Sequence, residues 1–199
     1  IEDIESIDPD TDNVIRIELH DAIKFDMSRL ERHFYTTSSC GVCGKASLES
    51  LSTSGYDALR DNNFSINRKT LVTLGENLRK KQSLFQQPGG CHGTATFNDH
   101  GDIVEVTEDV GRHNAMDKLI GGMLRAKLIP IQNMGIIVSG RASFELMQKA
   151  LVAGCPMLVA VGAPSSLAIE LAEEFNITLI GFLSEQYFNI YQNSHSVTD

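Results

Sequence analysis

A rhythm that begins at Met134 constrains this chain more than any other feature. Gly135-Ile136-Ile137-Val138, Met157-Leu158-Val159-Ala160-Val161 and Ile177-Thr178-Leu179-Ile180 are short, continuous apolar runs. Between them Phe144, Met147 and Leu151, then Ala168, Leu171 and Phe175, recur at helical spacing. A strand that is apolar at every position is buried on both faces, so runs of this kind alternating with amphipathic helices predict an α/β fold with a parallel sheet covered on both sides. Upstream, Thr94 to Phe97 and Ile103 to Val106 flank the polar turn Asn98-Asp99-His100-Gly101-Asp102. They read as a hairpin that gives the sheet an antiparallel edge. Ala115, Met116, Leu119, Ile120, Met123 and Leu124 then supply a helical face.

The first part of the chain is patterned differently. Residues 1–12 are acidic and polar and read as a terminus or linker, whereas Ile15, Ile17 and Leu19 alternate with Arg16 and Glu18 as in a half-buried strand. A Ser/Thr/Gly-rich loop over 36–44 carries Cys40 and Cys43. Leu71, Leu74, Leu78 and Phe85 lie near helical spacing until Pro88-Gly89-Gly90 stops them. The expected division is a smaller α+β N-terminal part over 1–88 and an α/β cofactor-binding domain over 89–199, the two able to pack as one unit. Beginning at Ile1 rather than Met, the chain reads as a fragment of something longer.

Composition narrows the partners. With 199 residues, 42% of them hydrophobic, the chain can bury a sizeable core. Its net charge is −9 and no Lys/Arg-rich run interrupts it, so neither DNA nor RNA is an expected partner, because phosphate neutralisation needs a basic surface. No apolar stretch approaches the roughly 18 residues of a membrane span, so no membrane association is expected and a cytoplasmic location is.

Four cysteines, two of them in Cys40-Gly41-Val42-Cys43, do not resemble the disulfide framework of a small secreted domain. Sulfur transfer, disulfide exchange and zinc binding all use a thiolate, and a second thiol three positions away can stabilise it, resolve it or share a metal. Cys91-His92 offers two further zinc ligands, although adjacent side chains diverge; no permanently bound metal is expected. Otherwise Cys91 is a buried thiol by default, and Cys155, just before an apolar strand, packs in the core. Glu108-Asp109-Val110-Gly111-Arg112-His113-Asn114 concentrates charge where a helix should begin, a place suited to an anion or to plain capping. Ser139-Gly140-Arg141-Ala142-Ser143 and Gly162-Ala163-Pro164-Ser165-Ser166 each follow an apolar strand and open a helix, as phosphate-holding turns do. Arg141 has little packing reason to stand at a strand end. The three turns are expected to face one crevice beyond the strand ends.

In this order the motifs resemble the formate dehydrogenase accessory sulfurtransferase family. The likeness runs through Ser39-Cys40-Gly41-Val42-Cys43-Gly44, Gly90-Cys91-His92-Gly93-Thr94-Ala95, the 108–118 segment, Ser139-Gly140-Arg141-Ala142-Ser143 and Gly162-Ala163-Pro164-Ser165. It implies a cytidine deaminase-like mixed sheet with helices on both faces, and a homodimer. The deaminase zinc signature is missing, so the likeness in fold carries no deamination. It also implies a carrier that takes sulfur from a cysteine desulfurase as a persulfide and delivers it to the bis(molybdopterin guanine dinucleotide) molybdenum cofactor that formate dehydrogenase needs. Cys40 then bears the persulfide and Cys43 assists. Cofactor contacts are expected at Phe182, Leu183, Ser184, Glu185, Gln186 and Tyr187, with Glu185 standing where a basic residue is expected, and at Arg112, His113, Ser139, Gly140, Arg141 and Gly162. A dithiol–disulfide oxidoreductase and a non-catalytic cofactor chaperone are the alternative readings.

Overall fold

Alternation along the apolar strands decides the architecture. The computed structural model describes residues 3–6, 15–18, 20–22, 63–83 and 90–199. Cys40, Cys43 and Phe85, on which part of the expectation rests, lie outside the described residues. The chain divides into two compact units, Ile1–Cys40 and Gly41–Asp199.

In the first unit β1 (Asp3–Ser6) pairs antiparallel with β2 (Ile15–Glu18), Ile4 opposite Ile17. The expected strand is therefore present. Part of the 1–12 segment, read from its polarity as a terminus or linker, is its partner: ladder bonds are made by the main chain and do not require apolar side chains.

The second unit carries β3 (Ile66–Asn67), α1 (Arg68–Leu71), α2 (Leu74–Lys81), β4 (His92–Phe97), β5 (Ile103–Asp109) and α3 (Arg112–Arg125). It continues through β6 (Gly135–Val138), α4 (Phe144–Val152), β7 (Met157–Ala160), α5 (Ser166–Glu174), β8 (Thr178–Gly181), β9 (Asn189–Gln192) and β10 (Val197–Thr198). Six strands form one mixed sheet in the order β5-β4-β6-β7-β8-β9. β6, β7 and β8 run parallel, as their apolar runs predict, while β4 and β5 form the antiparallel hairpin and β9 closes the other side antiparallel to β8. The hairpin turn is held by Asn98, whose Oδ1 accepts from His100 N at 3.0 Å and Asp102 N at 2.9 Å, and by Gly101 at φ 82°. β10 adds a short parallel pair with β3.

Successive residues of each strand feed opposite cores. Ile136, Val138, Leu158, Ala160 and Leu179 pack under Met116, Leu119 and Met123 of α3, Leu146 and Met147 of α4, and Leu171 of α5. Ile137, Met157, Val159 and Ile180 face the other way, onto Phe64, Ile66, Leu71, Leu74 and Leu78. The sheet is thus sandwiched between α3–α5 on one face and β3, α1 and α2 on the other. Among the described residues no helix is long and apolar enough to cross a membrane.

Thr96, in the middle of β4, is wholly buried, and among the described residues its hydroxyl has no hydrogen-bond partner. A buried donor without a partner forfeits its hydration and gains nothing in return. Thr96→Val is therefore expected to raise stability by about 1 kcal/mol, read as a higher urea midpoint with an unchanged slope; a lower midpoint would show that the hydroxyl is satisfied.

Candidate functional site at the carboxyl edge of the sheet

β6, β7 and β8 end at one edge, and main-chain pairing continues beyond their last residues. Val161 N donates to Val138 O at 3.1 Å, Gly162 N to Gly140 O at 2.9 Å, Phe182 N to Gly162 O at 3.1 Å and Leu183 N to Ala160 O at 3.1 Å. Ala142 bridges to Pro164, and Ser165 N donates to Ala142 O at 2.9 Å. The turns after the three strands are thereby laid side by side; of the three turns read from the sequence, those at 139–143 and 162–166 meet here, whereas Arg112 and His113 of the third stand at the start of α3 beside α4. A Cβ at Gly162 would stand 3.0 Å from both Cα and N of Arg141, so a side chain there collides with main chain.

β4 starts at the same edge, because Thr94 lies opposite Val138 and the strand runs the other way. Gly93 N donates to Ser139 Oγ at 2.9 Å and Ser139 N to Gly93 O at 2.9 Å. His92 is drawn in with them: a Cβ at Gly140 would lie 3.3 Å from His92 Nδ1.

β5 ends with Asp109 opposite His92, and Asp109 organises the start of α3. Its Oδ1 accepts from Gly111 N at 2.9 Å and Asn114 Nδ2 at 3.2 Å, and its Oδ2 from Lys118 Nζ at 2.5 Å. Lys118 first, then the Gly111 amide, hold this carboxyl down to about 2. The conspicuous polar groups of 108–118 thus separate. Asp109, Asn114 and Lys118 clamp one another, Glu108 accepts from Gln82 and Ser83 at the end of α2, Asp117 pairs with Lys149, and Arg112 and His113 stand outside these contacts. Arg112 is half-buried, and its buried Nε has no partner among the described residues. His113 Nε2 lies 3.4 Å from Ser143 Oγ and 3.8 Å from Glu145 Oε2, joining the first turns of α3 and α4. Burial, then the Arg112 charge, push the His113 imidazole below its ordinary range, which favours the uncharged ring at its contact with the Ser143 hydroxyl. Ser143 sits at the N-cap of α4 yet makes no side-chain cap bond there.

On the opposite face of the edge lies a cleft of about 280 Å³. Gly75, Leu78, Arg79 and Gln82 line it from α2 and its end, and Cys91, His92, Ser139 and Val161 from the strand ends. Cys91 is half-buried in this wall rather than buried as its default reading had it, because it stands just ahead of β4 at the sheet margin. Cys155 is fully buried, as expected; burial pushes its thiol up to about 12 and makes it inert.

Of the other expected site residues, Ser139 lines the cleft, while Gly140, Arg141, Gly162 and Phe182 meet through their main chains at its lip. Phe182 holds φ 54° and is 43% exposed, whereas the side chain of Leu183 is buried in the core below. Ser184 closes a turn by donating Oγ to Tyr187 O at 2.8 Å and accepting from Tyr187 N at 3.0 Å, which leaves Glu185, Gln186 and Tyr187 exposed. Arg112 and His113 belong to the α3–α4 face and do not line the cleft. The sequence reading missed Arg79 and Gln82, and its expectation of no Lys/Arg-rich run is corrected by Arg79-Lys80-Lys81, three consecutive cations at the end of α2.

A family model described as the FdhD/NarQ family matches residues 1–198. Proteins named sulfur carrier protein FdhD are 44% identical over 188 residues in Streptomyces avermitilis and 41% identical over 197 in Saccharolobus solfataricus. The first alignment covers 94% of this chain and 67% of the relative, the second 99% and 73%. The chain therefore spans roughly two thirds to three quarters of those relatives. A crystal structure of a protein described as a formate dehydrogenase accessory protein from Desulfotalea psychrophila superposes with TM-score 0.62 at 24% identity, over 68% of this chain and 60% of that one, which is a likeness of fold.

The geometry of the edge has two measurable outcomes. Gly162→Ala should cost about 1–3 kcal/mol by forcing the β6 and β7 turns apart, seen as a lower urea midpoint than that of Gly121→Ala, where a Cβ meets nothing within 4 Å. The Asp109 carboxyl is depressed when folded, so its stabilisation is present above the ordinary carboxylate range and is lost as pH falls through that range toward about 2. Asp109→Ala should flatten that acid limb of a stability–pH curve; an unchanged limb would contradict the clamp.

Proposed function

The chain belongs to the FdhD/NarQ family, whose model spans residues 1–198, and on that premise we propose that it is a sulfur carrier serving formate dehydrogenase. In this reading the Cys40 thiolate attacks the outer sulfur of a cysteine desulfurase persulfide. A new S–S bond forms on Cys40, the donor's S–S bond breaks, and the donor cysteine leaves as a thiolate. Cys43 assists the attack or the release. The terminal sulfur then passes to the molybdenum of bis(molybdopterin guanine dinucleotide), the substrate receiving it: the S–S bond on Cys40 breaks, Cys40 leaves as a thiolate, and the metal in its reduced state supplies the two electrons that take the sulfur to a sulfide ligand. The carrier works in the cytoplasm, as a homodimer.

The carrying observation is the convergence at one sheet edge of groups suited to a phosphate-rich dinucleotide. Arg112 brings a half-buried guanidinium whose Nε lacks a partner among the described residues. The first turns of α3, α4 and α5 open at this edge, with the positive ends of their dipoles toward it. The exposed rings of Phe182 and Tyr187 offer surfaces on which a purine or pterin can stack. Ser139, Gly140, Arg141 and Gly162 supply the main-chain lip between them. The mixed sheet with helices on both faces supports a cytidine deaminase-like relationship of fold without deaminase chemistry.

Incubation with a desulfurase and cysteine should add about 32 Da, one sulfur atom in the persulfide chemistry of cysteine, to the chain and not to Cys40→Ala. An adduct that persists in Cys40→Ala would sink the assignment of the carrier cysteine. Arg112→Ala should load sulfur normally yet deliver it at least about tenfold more slowly to formate dehydrogenase, consistent with loss of one charge-assisted phosphate contact.

A further inference from the structure

Cations gather where the cleft opens. Arg79, Lys80 and Lys81 close α2 and are exposed, and Arg141 is exposed at the strand-end lip beside Gly162. Among the described residues Arg79, Lys81 and Arg141 form no ion pair, and Lys80 meets only Glu76, at 2.8 Å in an exposed pair that contributes little. Glu108 accepts from Gln82 Nε2 and Ser83 Oγ at 3.5 Å, so two carboxylates, Glu76 and Glu108, stand against four cations here, and this end still runs against the average of a chain whose net charge is −9.

The helix dipole favours cations in a last turn, but it does not choose between one and three. Three consecutive helical residues fan over about 200° of the helix circumference, so no single phosphate can collect them. Only Arg79 of the three lines the cleft. A broad acidic surface, in contrast, can take Arg79 at the cleft and Arg141 on the lip while the long, exposed Lys80 and Lys81 side chains reach its rim. Apolar side chains lie against the same lip: Val161 is 37% and Phe182 43% exposed, and the Phe182 amide is bonded to Gly162 O at 3.1 Å. Exposed aliphatic and aromatic groups beside arginines are the composition of a protein contact.

We propose that the end of α2, with Arg141, Val161 and Phe182 on the facing lip, is a docking surface for the acidic face of a partner protein, which seats over the cleft and closes it. The surface itself is independent of the carrier reading; that reading supplies only the probe, formate dehydrogenase lacking its inserted sulfur.

The test is a salt titration of binding between that enzyme and the full chain, immobilised, for the wild type and for the triple variant Arg79→Glu, Lys80→Glu, Lys81→Glu. Wild-type affinity is expected to fall steeply with ionic strength, and the triple variant to bind at least about tenfold more weakly at low salt. A control reversing Arg125 and Lys127 to Glu, at the far end of α3, should stay within about twofold, since rim charges outside a contact change affinity little. Unchanged far-ultraviolet dichroism and urea midpoint establish that the triple variant folds. The surface is overturned if the triple variant binds like the wild type, if the control loses as much, or if the wild type does not bind at all. It is equally overturned if the triple variant loses only its binding of inorganic pyrophosphate, which would make the cluster a small-anion site. Sulfur loading on Cys40 is measured in parallel: a wild type that loads sulfur yet does not bind overturns the surface, whereas a wild type that does not load overturns the carrier reading that chose the probe.

Discussion

The main-chain approach of Gly162 to Gly140 and Arg141 governs how the working edge is built. Strands that are apolar throughout can be arranged in a sheet by packing alone, but packing does not decide what happens after their last residue. Here the ladder runs on, from Gly140 O to Gly162 N and from Gly162 O to Phe182 N, so three turns far apart in the chain are held in register by the backbone. Because the contacts between the turns use main chain, Arg141 and Phe182 are positioned by the fold while their side chains make none of these bonds, and the Ser139 hydroxyl is free to tie the edge to β4 through Gly93 N. A side chain at Gly162 would separate the turns, and each group on the lip would move with them.

Electrostatics then distinguishes this edge from the rest of an acidic molecule. On one face the first turns of α3, α4 and α5 begin there; on the other, the last turn of α2 ends there with its three cations. Of the acids nearby, Asp109 is taken up by Lys118, Gly111 and Asn114, Glu108 accepts from Gln82 and Ser83, and Glu76 pairs with Lys80. A positive edge on a negative protein focuses approaching anions toward one place, a field effect that no pairwise contact provides. Arg112 shows the local form of the same economy, its buried Nε still without a partner among the described residues.

The legible part of the fold was the part written in apolar periodicity. Gly135 to Val138, Met157 to Ala160 and the hairpin around Asn98 appear where their patterns put them, because burial on one or both faces leaves a period in the sequence. The polar edge strand Asn189–Gln192 leaves none, and neither does the two-residue pair of Val197–Thr198 with Ile66–Asn67, whose partners are separated by most of the chain. Among site residues, the glycine-rich turns and Arg112 announced themselves by odd chemistry at helix starts. Arg79 and Gln82 did not: their place in the cleft arises only when α2 folds beneath β4, a long-range event with no local signature. The charges of 108–118 looked alike in sequence, and only geometry separated the clamp from Arg112 and His113.

Phe182 carries a consequence of its own. A phenylalanine at φ 54° occupies a region in which a β-carbon crowds the carbonyl, at roughly 1–2 kcal/mol. Two amide bonds and the burial of Leu183 hold it there, with the ring turned to solvent. Glycine would relieve the crowding at once, so in terms of stability alone this position is occupied by the wrong residue. A lineage drifting under selection for folding only would lose the ring early, and retention of an aromatic at this left-handed step is a signature of use that can be looked for wherever the same turn recurs.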